Sequence, residues 1–233
     1  ELSPRLRLAA DLVPEGARLA DVGTDHAYLP AWLLQNGRIP SAIASDVREG
    51  PLSRARATAR ACGCFERMSF RLCDGLSGIA PEEVDALVIA GMGGETIANI
   101  LEAAPWVKEK DFPIILQPMS TQAELRGWLW RNGFLCLREK TVLEGETLYS
   151  IILARQGGAV PMTPAEEWAG RQYPGMEDPL RGLLLDHLLG RVRRALDGMA
   201  RSRAPAEARR RELEQVLEGL MEMRKEWDAW QQR

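Results

Sequence analysis

At 233 residues, with 45% hydrophobic and 27% charged side chains, the chain has room for one domain of about 150 residues and an appendage. A net charge of −3 argues against a uniformly basic nucleic-acid binder, although a local basic cluster would still serve. No apolar run approaches the roughly 20 residues that cross a bilayer and no signal peptide is visible, so no membrane partner is expected.

The chain opens on Glu1 rather than methionine, so a short leader is expected to be missing. Short strand-like runs then alternate with helical ones. Residues 19–23 read as a strand and 27–36 as a helix ended by Gly37. Residues 41–46 (SAIASD) form a second strand, and the helix over 52–61 stops near Gly63. Strands follow at 68–73 and 84–90 (VDALVIA), then a helix over 95–103 and a strand over 113–117 (PIILQ). The next helix, over 121–131, has Thr121 as its expected N-cap and Glu124 in capping-box register.

The pattern then changes. Residues 134–142 and 147–154 are both strand-like, with Leu143-Glu144-Gly145-Glu146 and no helix between them. Five βα units followed by a β-hairpin predict an α/β fold: a mostly parallel sheet, helices on both faces, one antiparallel strand. The Rossmann-like sheet of a class I methyltransferase has this order of elements, although periodicity gives the elements and does not by itself name the reaction. A plain dinucleotide-binding sheet usually ends differently.

After Gln156-Gly157-Gly158 the composition shifts, which sets domains at 1–158 and 159–233. Pro161, Pro164, Pro174 and Pro179 punctuate a linker-like stretch. Leu185, Leu188, Val192, Ala195 and Met199 then recur at threes and fours, as do Leu213, Val216, Leu220, Met223, Trp227 and Trp230. Ser202-Arg203-Ala204-Pro205 breaks the two runs. The spacing predicts a C-terminal antiparallel helical coiled-coil hairpin. His187, beside that stripe, reads as a packing or boundary residue rather than a ligand.

In an open α/β sheet the ligand lies outside the carboxyl ends of the strands. Four such ends carry distinctive residues here. The first is Asp21-Val22-Gly23, where glycine admits a ligand to the backbone and Asp21 can accept from an ammonium. The second ends in Asp46-Val47, with Asp46 placed where an acid grips a ribose diol. The third ends in Asp74-Gly75, whose carboxylate can accept from an adenine amino group. The fourth runs into Ala90-Gly91-Met92-Gly93, a wall made almost entirely of backbone. Each sign alone is weak, because an acid at a strand end often caps a helix or solvates a turn. Together, in this order, they point to S-adenosylmethionine.

The motifs DVGTDHAYLP (21–30), ASDV (44–47), EGPL (49–52), CDGL (73–76), VIAGMGG (88–94) and ILQP (115–118) now stand together. In that combination the chain resembles the bacterial tRNA (adenine-N1) methyltransferases that modify position 22, along nearly its whole length, including Leu2-Ser3-x-Arg5-Leu6 near the start. The resemblance implies a class I methyltransferase domain with a C-terminal coiled coil, S-adenosylmethionine as donor and tRNA as substrate. It also explains why the usual glycine-rich loop is absent. Asp25 and Ala27 replace the second and third glycines, as in that family, so the loop is a variant rather than a decayed one. Thr24 belongs to the same donor-facing loop, and His26 either contacts the donor's carboxylate, the favoured side, or merely closes the loop. Asp25 and Tyr28 face the incoming base, Asp25 near the charge that develops and Tyr28 stacking or orienting it. For Tyr28, packing at the helix start is an equal alternative.

Two absences narrow the chemistry. The fourth strand lacks the [D/N]-P-P-[F/Y] used on exocyclic amines, and no cysteine follows the fourth or fifth strand to attack a pyrimidine covalently. Adenine N1 carries a free lone pair and needs neither device. Two other readings remain open: a methyltransferase of another substrate, and a catalytically silent protein that keeps the cofactor pocket and binds RNA.

From residue 160 onward there are 13 Lys/Arg and 13 Asp/Glu, but they are segregated. Arg201, Arg203, Arg209, Arg210 and Arg211 cluster around the break, where they are expected to meet RNA phosphates beyond reach of the catalytic pocket. The four cysteines, Cys62, Cys64, Cys73 and Cys136, read as reduced thiols of a cytoplasmic protein. A closed zinc site needs four ligands, and both histidines lie far from Cys62 and Cys64 in sequence, so no metal is expected. A monomer is compatible with everything above.

Overall fold

A computed structural model describes residues 1–201 and 207–232, so Arg203 and the whole of the predicted break lie outside the described residues. Strands β1 (Leu19–Val22), β2 (Ala42–Asp46), β3 (Met68–Leu72), β4 (Ala86–Gly93), β5 (Ile114–Ser120), β6 (Phe134–Glu144) and β7 (Thr147–Gln156) form one sheet. Their order is β3-β2-β1-β4-β5-β7-β6. The first five run parallel, while β7 is antiparallel to both β5 and β6.

Burial on both faces explains the continuous apolar strands. Successive residues point to opposite sides. Leu19, Ala42, Ala44 and Val88 pack beneath α1 (Pro4–Asp11), α2 (Tyr28–Gln35) and α3 (Glu49–Ala61). Their neighbours Ala20, Ile43, Leu87 and Ile89 pack beneath α4 (Gly94–Glu102) and α5 (Gln122–Arg131).

The structure corrects several expectations. Helix α1 had no sequence forecast. No α-helix joins β3 to β4; a 3₁₀ turn at Pro81–Glu83 makes the crossover, with Leu76 and Ile79 sealing the sheet below it. The glycine-rich wall is the end of β4 rather than a loop, and it pairs irregularly with Pro118 and Ser120. Thr121 does not cap its own helix. It sits in the left-handed region at φ 49°, and its hydroxyl accepts instead from Glu95 N of α4 at 3.2 Å.

The proline-rich stretch is not a slack linker. It contains α6 (Pro164–Ala169), with Pro164 in the first turn and a capping box between Thr163 and Glu166. Helices α7 (Arg181–Arg201) and α8 (Glu207–Gln231) follow, and their apolar stripe closes around Leu185, Leu188, Val192, Leu213, Val216, Leu220, Met223 and Trp227. Ala165 and Ala169 of α6 join this cluster, making it three-sided, whereas Ala195 and His187 are exposed.

A buried ionic joint fastens these helices to the sheet. Arg126 of α5, whose side chain is 1% exposed, pairs with Glu139 of β6 at 2.9 Å and donates to the carbonyls of Glu167 and Trp168. Arg181 donates to the carbonyls of Ala169 and Gly170. Two guanidinium groups thus satisfy the four carbonyls that end α6. Only glycine fits at position 170, since a Cβ there would lie 2.5 Å from Glu139 Oε2 and φ is 72°. Burial pulls Arg181 down to about 10.

Candidate active site

The carboxyl ends of β1 to β4 open into two adjoining cavities. One, of about 460 Å³, is walled by Asp46, Val47, Asp74, Gly75, Met92 and Ile100. The other, of about 310 Å³, is walled by Asp21, Thr24, His26, Tyr28, Ala90 and Arg5. Gly23, Asp25 and Gly91 border both. The fold therefore gathers at one edge every donor-site residue singled out in the sequence except Gly93, which ends β4 just beyond Met92.

The turn after β1 is shaped by its backbone. Gly23 N and Thr24 N both donate to Ser45 O, at 2.8 and 2.9 Å, which ties the turn to β2. Thr24 Oγ1 accepts from Ala27 N at 3.0 Å, and Ala27 takes a left-handed conformation at φ 53° to start α2. Gly23 is itself left-handed at φ 73°, and a Cβ there would stand 1.7 Å from the methyl of Met92. Backbone and thioether thus meet directly where the two cavities join.

The acids differ in environment. Asp21 is buried within β1, and burial pushes its carboxyl up to about 6 against an opposing hydrogen bond from Thr24. Asp46 closes β2, one of its oxygens accepting from Arg48 N at 2.8 Å. Asp74 is exposed at the rim. Asp25 is exposed too, and a hydrogen bond from Arg54 of α3 holds its carboxyl below the usual range. That partner offsets part of the charge that Asp25 offers to a base.

Tyr28 is 52% exposed, so it does not pack onto the sheet. Its ring lies parallel to that of His26, with centroids 4.9 Å apart and 1° between planes. The histidine backs the tyrosine and sits 3.5 Å from Asp25. A second flat ring would find Tyr28 already supported.

Sequence reading gave no site role to Arg5, Arg54, Gln117, Thr96 or Ile100, although Arg5 and Gln117 stand in quoted motifs. The first three act through partners distant in the chain, such as the Arg5–Gln117 hydrogen bond across 112 positions. Thr96 and Ile100 lie one helical turn apart on α4 and carry no motif.

Arg209 departs from expectation. It lines a small cavity with Thr121, Gln122 and Glu124 of the β5–α5 connection, together with Trp168 and Arg191. This arginine lies against the sheet unit and not out beyond it. Arg209, Arg210 and Arg211 also pair within α8, with Glu212, Glu214 and Glu207 at 3.0, 2.9 and 3.5 Å. Arg201 is exposed at the end of α7.

All four cysteines are free, and among the described residues no group of three or more His, Cys, Asp or Glu is placed to hold a metal. No described helix is long and apolar enough to cross a membrane.

The cavities fit a nucleoside bearing an amino-acid tail. Ser45 Oγ is buried beside Asp46 without a hydrogen-bond partner, and the bare backbone at Gly23 and Gly91 leaves room across the join. Parallel strands in this order, with β7 reversed and acids at successive strand ends, define a class I methyltransferase. The family model for a methyltransferase domain matches residues 2–152. A Bacillus subtilis tRNA (adenine(22)-N(1))-methyltransferase is 37% identical over 157 residues, covering 67% of this chain and 66% of that protein, a little under two thirds of its length. The crystal structure of the B. subtilis m1A22 tRNA methyltransferase superposes with a TM-score of 0.77 at 28% identity, over 99% of this chain and 98% of that one. A Streptococcus pneumoniae structure in complex with S-adenosyl-L-methionine superposes with a TM-score of 0.81 at 32% identity, over 94% and 98%. The chain belongs to the tRNA (adenine(22)-N1)-methyltransferase family.

Proposed function

We propose that this chain methylates N1 of adenine 22 in tRNA with S-adenosylmethionine as donor. The observation that carries this reading is the pair of cavities meeting at Gly23, Asp25 and Gly91, one suited to an adenosine and the other open toward an exposed, ring-backed tyrosine. S-adenosylmethionine supplies an electrophilic methyl group on a sulfonium.

The chain's own residues bind, orient and exclude water. Asp46 accepts from ribose hydroxyls through the oxygen that Arg48 N leaves free. Val47 and Ile100 offer apolar faces to a purine, and Asp74 accepts from its amino group. Asp21 receives an ammonium, with Thr24 and His26 closing the turn over it. The backbone from Ala90 to Gly93 forms the wall between donor and base.

Adenine N1 needs no general base, because its lone pair is free. The protein's task is to hold that nitrogen within about 3–3.5 Å of the methyl and in line with it. Tyr28 stacks on the adenine with His26 behind it. Methylation leaves the ring cationic, and the Asp25 carboxylate, softened by Arg54, faces that charge. The helices over 159–233 hold tRNA phosphates through Arg201, Arg209, Arg210 and Arg211, with Arg203 in the same sequence cluster. The chain works as a cytoplasmic enzyme on a diffusible RNA.

The test is nucleoside mass spectrometry of tRNA incubated with protein and donor, with 1-methyladenosine as the expected product. Calorimetric binding of S-adenosylmethionine without any labelled RNA would leave a silent binder or another substrate.

A further inference from the structure

The 310 Å³ cavity holds a cation whose role nothing above explains. Arg5 of α1 reaches β5, against which its helix packs. Its Nη1 donates to Gln117 Oε1 at 2.9 Å, and the same oxygen accepts from Gly91 N at 3.1 Å. Gln117 is fully buried, so this acceptor cannot turn away to solvent. Arg5 is held from the other side by Glu144 of β6, which accepts from Arg5 N at 3.1 Å and lies 3.4 Å from Nε. Tyr149 of β7 places its ring 5.9 Å from the guanidinium carbon.

These contacts fix the guanidinium without using it up. Among the described residues only Nη1 donates a hydrogen bond, although the group carries five N–H donors. Gly91 is left-handed at φ 79°, and a Cβ there would only reach ordinary contact with Nη1 at 3.9 Å, so backbone conformation rather than space accounts for this glycine. Across the same cavity lies the buried Asp21 carboxylate. One wall therefore offers an anion and another a planar cation, which is the complement of an α-amino acid zwitterion. His26, the other basic side chain on these walls, is occupied by its stack on Tyr28 and by Asp25. Arg48 lines the neighbouring cavity, and Arg54 is engaged by Asp25.

We infer that Arg5 is the clamp for the carboxylate of the donor's amino-acid end, held ready by Gln117 and Glu144. This inference rests on the donor assignment made under the proposed function. A guanidinium suits the role because its paired N–H groups match the two oxygens of a carboxylate. It also gives α1 a purpose beyond covering the sheet, since that helix carries a ligand contact to the cavity.

The test compares two nucleosides by titration calorimetry on the full chain. S-adenosylhomocysteine carries the carboxylate, whereas 5′-methylthioadenosine lacks the whole amino-acid end. Arg5→Gln should weaken S-adenosylhomocysteine roughly ten- to a hundredfold and leave 5′-methylthioadenosine within about twofold, the size expected for charged hydrogen bonds. Arg5→Lys, which keeps the charge but loses the fork, should fall between. Equal loss for both ligands would make Arg5 a support of the cavity wall and overturn the inference. Unchanged S-adenosylhomocysteine affinity with a raised KM for tRNA would place Arg5 on the RNA and overturn it as well. A wild-type protein that binds neither nucleoside would remove the donor assignment itself, and the clamp with it.

Discussion

Asp21→Asn separates the cost of building the donor site from its use. Burial raises this carboxyl from its ordinary 3.8 to about 6. A folded pKa above the unfolded one means that the folded state holds the proton more tightly. The associated stability is complete below about 4 and is lost as pH rises through about 6. At about 1.4 kcal/mol per pH unit, the ionised group costs ~3 kcal/mol above that window. Asparagine has nearly the same shape and no charge to bury. The variant should therefore be up to ~3 kcal/mol more stable than wild type at pH 8, or roughly 6–12 °C in Tm for a chain of this size. The gap should close at pH 4. Titration with S-adenosylhomocysteine should show the opposite effect. Wild-type affinity should fall by as much as about tenfold per pH unit below 6, as Asp21 takes up its proton. The variant should bind weakly and with no such pH dependence. A variant that is no more stable at pH 8 and binds S-adenosylhomocysteine as wild type does would refute both the burial cost and the ammonium contact.

Asp46→Ala should weaken S-adenosylmethionine by about 1.5–3 kcal/mol by removing the hydrogen bond to the ribose, and unaltered affinity in calorimetry would reduce Asp46 to an anchor for Arg48 N. Asp25→Ala and Tyr28→Ala should instead keep the donor and lose most methyl transfer at saturating tRNA, the pattern of interactions made mainly in the transition state. Normal turnover in both would remove this turn from the base. Changing Arg209, Arg210 and Arg211 together to Ala should lower tRNA affinity and flatten its salt dependence by ~0.9 in slope for each phosphate left without its arginine. A wild-type slope would leave these side chains to their glutamate partners on α8. Arg126→Met should cost about 3–5 kcal/mol in denaturant unfolding, because it strands a buried Glu139 and uncaps α6, and a loss under about 1 kcal/mol would show the joint to be solvated.

Legibility followed the range of the forces involved. Strands buried on both faces announce themselves as apolar runs, so β1, β2, β4 and β5 could be read within a few residues of their ends. The acids and glycines at the strand ends were legible because a sheet of this type puts its ligand there. Helix α6 was hidden by prolines that read as a linker, although Pro164 after Thr163, with Glu166 beyond, is a helix start in local sequence terms. Thr121 misled for the opposite reason. Its capping-box pattern is sound, but the left-handed turn sends its hydroxyl to the neighbouring helix α4. Arg126 and Arg181 could not be found from sequence at all, and Arg5 stands in a motif near the start that does not reveal its role. A buried guanidinium is chosen by its acceptors, and these come from other elements: Gln117 for Arg5, Glu139 for Arg126 and the end of α6 for Arg181.

That joint bears on how the proposed RNA substrate would reach the cavity of an acidic chain. Two buried arginines and Glu139 tie the end of α6 to α5 and β6, and Thr141 donates to the buried Asp178 at 2.7 Å just before α7 begins. Rotating the hairpin as a body would pull these charges apart in a low-dielectric setting, where separation is expensive. The hairpin is thus better understood as a fixed extension of the sheet than as a swinging arm. Its basic residues follow from that geometry. Arg209 and Arg191 face the first turn of α5, which continues from β5, and β5 pairs with the Met92–Gly93 wall through Pro118 and Ser120. A phosphate held there would be registered against the same strand end that borders the donor cavity. The distance from phosphate to target base would then be set by the fold and not by hairpin motion. The net charge of the appendage matters little to such a scheme, because a few correctly placed guanidinium groups suffice to set the register of an RNA whose bases are recognised elsewhere.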